Sequence, residues 1–161
     1  MKKTATLGFL LALSMILSYI ESILPLSIGI PGIKLGLPNL IVVILLYLYG
    51  EKEALVVNIL RIVLTGFMFG NLFAILYALA GALFSFTVML IMKKTNLFSV
   101  TGVSIGGGVF HNIGQLIVAM FVVETYAPIF YLPVLLAAGV ATGFIIGVVS
   151  MRLMPYIQKK W

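Results

Sequence analysis

Apolar residues in this chain fall in blocks the length of a membrane-crossing helix, separated by short polar punctuation. Neither the strict alternation of half-buried strands nor a helical stripe with a charged opposite face is visible. Lys2 and Lys3 precede the apolar run Leu7–Leu17, and Ser18-Tyr19-Ile20-Glu21-Ser22 follows without a small-x-small cleavage site. The segment therefore reads as an uncleaved first span over residues 4–24. Pro25 ends it. Residues 25–36, PLSIGIPGIKLG, hold two prolines and three glycines and read as a long external loop. A second span, short for a full crossing, opens at Pro38, where a missing N–H costs nothing, and ends near Tyr49. A third covers residues 54–69 and a fourth 71–92, with Gly70-Asn71 as the turn between them. A fifth, residues 98–123, is expected to be broken up by Gly106-Gly107-Gly108, and a sixth covers residues 129–154.

Composition turns this pattern into a class. Of 161 residues, 63% are hydrophobic and 9% charged, far below the roughly 25% charged residues of a soluble domain. The expected fold is all-α, an integral membrane bundle of about six transmembrane helices, with residues 1–161 forming a single domain. Cysteine is absent, which removes disulfides, thiolate metal sites and thiol nucleophiles. Aspartate is absent as well, which removes any chemistry that holds magnesium on clustered aspartates. The net charge of +6 comes from basic residues set beside apolar runs, so it points to topology and not to a nucleic-acid partner. Across six spans, Lys2, Lys3, Lys52, Lys93, Lys94, Arg152, Lys159 and Lys160 fall on one side and Lys34 on the other. The positive-inside rule then places both termini in the cytoplasm.

Small residues at four-residue spacing bring helices together in a bilayer, because lipid is as apolar as leucine. Gly139, Gly143 and Gly147 form such a ridge on the sixth span, and Ala74, Ala78 and Ala82 another on the fourth. Gly8 and Ala12 make a shorter groove on the first, for which internal packing is the simpler role and docking of a partner helix the alternative.

Polar side chains at membrane depth are expensive and mark functional candidates. Arg61 lies near the middle of its span and shares a face with Asn58 and Thr65. His111 and Gln115 are four apart with Asn112 beside them, and Glu21 lies near the external end of the first span. Counted inward from the cytoplasm, Glu21 and the His111 group fall in the outer half of the bilayer, below the 25–36 loop. The expectation is an outward-facing polar pocket, against the alternative of a self-satisfied network in which Glu21 neutralises Arg61 or Lys34. A lone histidine makes a poor metal site, and the glycine triplet lacks the lysine and hydroxyl of a nucleotide loop. No catalytic, metal or cofactor-binding residue is expected.

Glu21 with Pro25, then Pro31-Gly32-Ile33-Lys34-Leu35-Gly36-Leu37-Pro38-Asn39, Arg61 with Gly70, and Ser104 to Gly108 leading into His111-Asn112-Ile113-Gly114-Gln115 carry a likeness over nearly the whole chain. They resemble the bacterial Gx transporter family, also labelled heptaprenyl diphosphate synthase component I. That family looks similar to the substrate-binding S components of energy-coupling factor transporters, which have six helices, cytoplasmic termini and an outward pocket. The resemblance implies a multi-pass protein of the bacterial cytoplasmic membrane that binds a small molecule. Its contacts would be Glu21, Lys34, Asn39, Arg61, His111, Asn112 and Gln115, with the basic residues hinting at an anionic group. It further implies docking through Gly8 and Ala12 onto a coupling subunit driven by ATPases. The second family label implies a membrane accessory of a prenyl diphosphate synthase or a membrane redox or isoprenoid complex. The catalytic subunit is excluded, since such synthases hold diphosphates on aspartate-rich motifs.

Overall fold

A computed structural model describes residues 2–23 and 35–158, and all regular structure among them is helical. The helices are α1 (Lys2–Ile23), α2 (Asn39–Leu48), α3 (Glu51–Phe69), α4 (Leu72–Thr95), α5 (Val100–Val123) and α6 (Leu132–Gln158), with a 3₁₀ turn at Ala127–Tyr131. Most of the expected external loop, with Lys34, lies outside the described residues.

Local chemistry sets the helix ends. The Asn71 side chain accepts from the Ala74 N–H at 2.8 Å and opens α4, and Ser99 Oγ accepts from the Gly102 N–H at 3.2 Å and opens α5. Asn96 closes α4 in the left-handed conformation, at a φ of 55°. Gly50 joins α2 to α3 at a φ of 116°, a backbone that a side chain would strain.

Six spans were expected and six helices are found, but they differ in kind. α1, α4, α5 and α6 with its preceding turn are long and apolar enough to cross a bilayer. α2 has 10 residues, about 15 Å, or half of a hydrocarbon core of about 30 Å. It is apolar all round because it is enclosed all round, with Ile41 through Leu46 buried. Its C-terminal end is tied to α4, where Lys93 Nζ donates to the Leu46 carbonyl at 2.6 Å and lies 5.2 Å from the centre of the Tyr47 ring. A cation at a helix C-terminus is favourable in its own right.

α3, α4, α5, α6 and α2 form a ring in which each helix packs on the next, and α1 lies over α3 and the edge of α2. The α5–α6 seam is the tightest. A Cβ on Gly108 would stand 2.4 Å from the Gly139 carbonyl oxygen, one on Gly143 2.7 Å from Ile105 Cα, and one on Gly147 2.6 Å from Thr101 Cα. The ridge Gly139-Gly143-Gly147 thus serves internal packing. The expected break at Gly106–Gly108 does not occur: α5 runs unbroken through the triplet. In lipid, a broken helix would leave backbone groups without partners, so glycine is kept helical and used for close approach instead.

Charges gather at one end of the bundle. Lys3 Nζ meets Glu53 Oε1 at 2.5 Å and Lys94 Nζ meets Glu51 Oε2 at 3.4 Å, which brings the start of α1, the α2–α3 turn and the end of α4 together. At the other end, Glu21 accepts a hydrogen bond from the Gly36 N–H.

Candidate functional site

Because α2 stops halfway, the described residues leave space beyond its N-terminus. A cavity of about 250 Å³ lies there, with Pro38, Asn39 and Val43 of α2 among its walls and residues of the other five helices completing it. α1 contributes Ser18, Glu21 and Ser22, α3 Arg61, Ile62, Thr65 and Phe69, and α4 Ala74, Ala78, Ser85 and Met89. α5 contributes Ser104, His111, Asn112 and Gln115, and α6 Thr142 and Ile146.

Six of the seven residues expected to contact a ligand therefore line one cavity: Glu21, Asn39, Arg61, His111, Asn112 and Gln115. The seventh, Lys34, lies outside the described residues. Arg61 stands ten residues into α3 and His111 eleven residues past the start of α5, about 15 and 17 Å along their axes. Both are near mid-helix, and only Asn112 and Gln115 lie beyond His111 towards the Glu21 end.

Arg61 is the cation of the site. Nη2 donates to Asn58 Oδ1 at 2.7 Å, and Nη1 reaches Ser18 Oγ at 3.4 Å, a long and weak contact. Nε is buried and donates to nothing among the described residues. Asn58, three residues before Arg61, stands behind it and outside the cavity wall, so it orients the guanidinium from the protein side. Thr65 Oγ1 donates back to the Arg61 carbonyl at 2.7 Å. Asn112 Nδ2 donates to the Leu135 carbonyl at 2.7 Å, so its amide nitrogen ties α5 to α6. His111 and Gln115 are seated against α4 where that helix has no side chain: a Cβ on Gly81 would lie 2.8 Å from Gln115 Cγ and 3.0 Å from His111 Cε1.

Thr65 apart, sequence reading passed over the hydroxyls. Ser18 donates to the Ser14 carbonyl at 2.9 Å, Ser22 to the Tyr19 carbonyl at 2.7 Å and Thr142 to the Ala138 carbonyl at 2.9 Å. With their protons turned back onto their own helices, they present lone pairs as acceptors. Ser18, Glu21 and Ser22 are spaced i, i+3 and i+4, a pattern that marks one helix face and was available in the sequence.

Gly8 and Ala12 are exposed on α1, and nothing lies within 4 Å of a Cβ placed on Gly8. No described residue packs against the Gly8 position, contrary to the simpler expectation of internal packing there. Gly8 borders an open apolar groove of about 430 Å³ between α1 and α3, with Leu7, Leu11, Val56 and Leu60.

Fold and site together define an all-α membrane bundle with a cavity among its helices that polar and apolar side chains line together. The chain belongs to the family described as heptaprenyl diphosphate synthase component I, whose model matches residues 10–153. No curated protein and no solved structure gives a significant match.

Proposed function

We propose that this protein is a solute-binding membrane subunit that takes a small molecule into the cavity beyond α2, from the side opposite the Lys3–Glu53 end. The observation that carries this reading is the convergence of Glu21, Asn39, Arg61, His111 and Gln115 on one cavity built around a half-length helix. One N–H of the buried arginine is without a hydrogen-bond partner among the described residues, so its hydrogen bonding is not completed within them. Transport would follow if an energising ATPase complex docks on the membrane. The outward small-residue face of α1 at Gly8 and Ala12 is the surface we assign to a coupling subunit. In this reading the protein sits in the bacterial cytoplasmic membrane with both termini inside, as the basic residues direct.

The family description favours a second reading, a non-catalytic membrane accessory of a heptaprenyl diphosphate synthase.

The deciding experiment is mass spectrometry of small molecules released from the purified protein, beside the Ala74→Trp variant, whose indole would fill the cavity from an exposed position on α4. A near-stoichiometric compound in the wild type that is absent from Ala74→Trp supports the solute reading. An equal yield from both sinks it, and loss of polyprenyl products in a deletion strain with unchanged uptake supports the accessory reading.

A further inference from the structure

Resting on the solute-binding reading, we infer that the ligand is an uncharged molecule with an amide-type edge, a donor and an acceptor side by side, and that Gln115 is the residue that reads it. Gln115 is 3% exposed, lines the cavity and makes no hydrogen bond to any described residue. Neither polar atom of its amide is sealed in protein, so the group opens on the cavity. Ser85 on α4 and Ser104 on α5, each 4% exposed, line the same cavity and are likewise without a hydrogen bond to a described residue. A Cβ on Gly107 would stand 3.2 Å from Ser85 Oγ, so the α4 serine faces α5 where that helix offers only backbone. Ser104, His111 and Gln115 are spaced i, i+7 and i+11 and share a face of α5. Buried polar groups are nearly always hydrogen-bonded, and these, which the described fold does not satisfy, call for a polar partner on the cavity side.

Gln115 decides the chemistry of that partner. A primary amide sets a carbonyl acceptor beside an NH₂ donor, and both are satisfied together by a group that carries the same pair in reverse, as a carboxamide, lactam or imide does. A carboxylate offers acceptors alone, and an ammonium donors alone. Charge points the same way, since among the described lining residues the fixed charges are those of Arg61 and Glu21, and they cancel. A further ion would enter a low-dielectric space without a counter-charge, at a cost that neutral hydrogen bonds do not repay. Thr142 Oγ1, its proton spent on the Ala138 carbonyl at 2.9 Å, adds an acceptor for a second ligand donor. Val43, Ile62, Phe69 and Ile146 line other parts of the wall, so the amide edge belongs to a molecule with an apolar or aromatic body. The reading side chain is seated in advance, because Gln115 Cγ fills the place, 2.8 Å away, where a side chain on Gly81 would begin.

Thermal stability of the purified full-length protein in mild detergent tests this with four probes of one shape at equal millimolar concentration: benzamide, benzoate, protonated benzamidine and acetophenone. Benzamide should raise the melting temperature of the wild type, and the anion, the cation and the acceptor-only ketone should each raise it clearly less. Gln115→Leu keeps the volume and removes both hydrogen-bonding atoms. It should weaken benzamide binding about tenfold or more while its own melting temperature stays the same or rises, because the amide it removes has no partner among the described residues. An amide with a purely structural role would give the reverse, lost stability with unchanged binding. Ala74→Trp should abolish the benzamide shift. Should Gln115→Leu fail to fold, the contrast among the four probes on the wild type decides alone. No benzamide shift in the wild type, an equal shift by any of the other three, or a benzamide shift kept in Gln115→Leu or in Ala74→Trp overturns the inference. If a compound released from the wild type is absent from Ala74→Trp and benzamide does not bind, the amide edge fails while the solute reading stands. If nothing is released and no probe binds, both fail.

Discussion

The two sides of the bundle are built from opposite choices. At the α5–α6 seam, glycines let two backbones approach until no side chain fits between them, as Gly108 against the Gly139 carbonyl shows. Where α1, α3 and α4 face the end of α2, the helices carry Ser18, Glu21, Arg61, Thr65 and Ser85, and they enclose space. The contrast follows from the solvent. In lipid, apolar surface gives helices no reason to associate, so a wall must be made by backbone proximity, and a cavity survives wherever polar side chains and a helix end replace that proximity. The seam is rigid scaffold for His111 and Gln115, which project from α5 into the cavity.

The strongest way to break this contrast is to make the seam resemble the cavity side. Gly139→Val puts three carbons where the Gly108 carbonyl and Val109 Cα already lie 2.9 Å from a first Cβ. Neither contact is a flexible side-chain end, so α5 and α6 must separate. Overpacking of this kind costs about 1–3 kcal/mol per site, and a branched side chain against backbone belongs at the upper end. The expected outcome is a loss of monodisperse protein on size-exclusion chromatography, or a large drop in melting temperature. A variant as stable as the wild type would show that the seam is looser than described.

A smaller and more informative change is Gly81→Ala, at the border between the two regions. Its methyl group would press on Gln115 Cγ and His111 Cε1, which can move, and on the His111 carbonyl, which cannot without shifting α5. The expected result is a destabilisation of about 1–2 kcal/mol together with a lower yield of the small molecule released from the purified protein, since the groups displaced are those lining the cavity. Stability and binding measured on the same preparation separate the two effects. Lost stability with unchanged binding would mean that His111 and Gln115 do not touch the ligand.

How much of this was legible in the sequence depends on whether the cause is local. The helix ends at Asn71 and Ser99 and the short span after Pro38 follow from capping groups and run lengths, and they stand within a few residues of where they were expected. The polar candidates Arg61, His111 and Gln115 were identifiable because ionisable and amide groups are costly at membrane depth. What escaped was orientation. Apolar residues cover every face of a helix in lipid, so nothing in the pattern says that Ser85 and Ser104 turn inward or that Gly8 turns outward. The continuity of α5 was misjudged for the same reason: glycine weakens helices in water, but in a bilayer the backbone has no alternative partner.

The smallest effect is expected at Gly8, and it sharpens the comparison by testing a face that belongs to neither region. With nothing within 4 Å of its Cβ position, Gly8→Ala gains helix propensity at no steric cost, so stability should rise by up to about 1 kcal/mol or stay unchanged. A clear fall in melting temperature would mean that α1 packs more closely on α3 than it does here. Gly8→Leu extends the question from the fold to its surroundings. The larger side chain still meets no neighbour at its first carbon, so purified protein should keep its stability and its released small molecule. If that variant nevertheless loses solute uptake in cells, the obstruction must lie outside the chain, and the face of α1 is where a partner sits. If uptake is unchanged, the small residues there merely leave lipid closer to the helix axis, and the coupling surface must be sought elsewhere on the bundle.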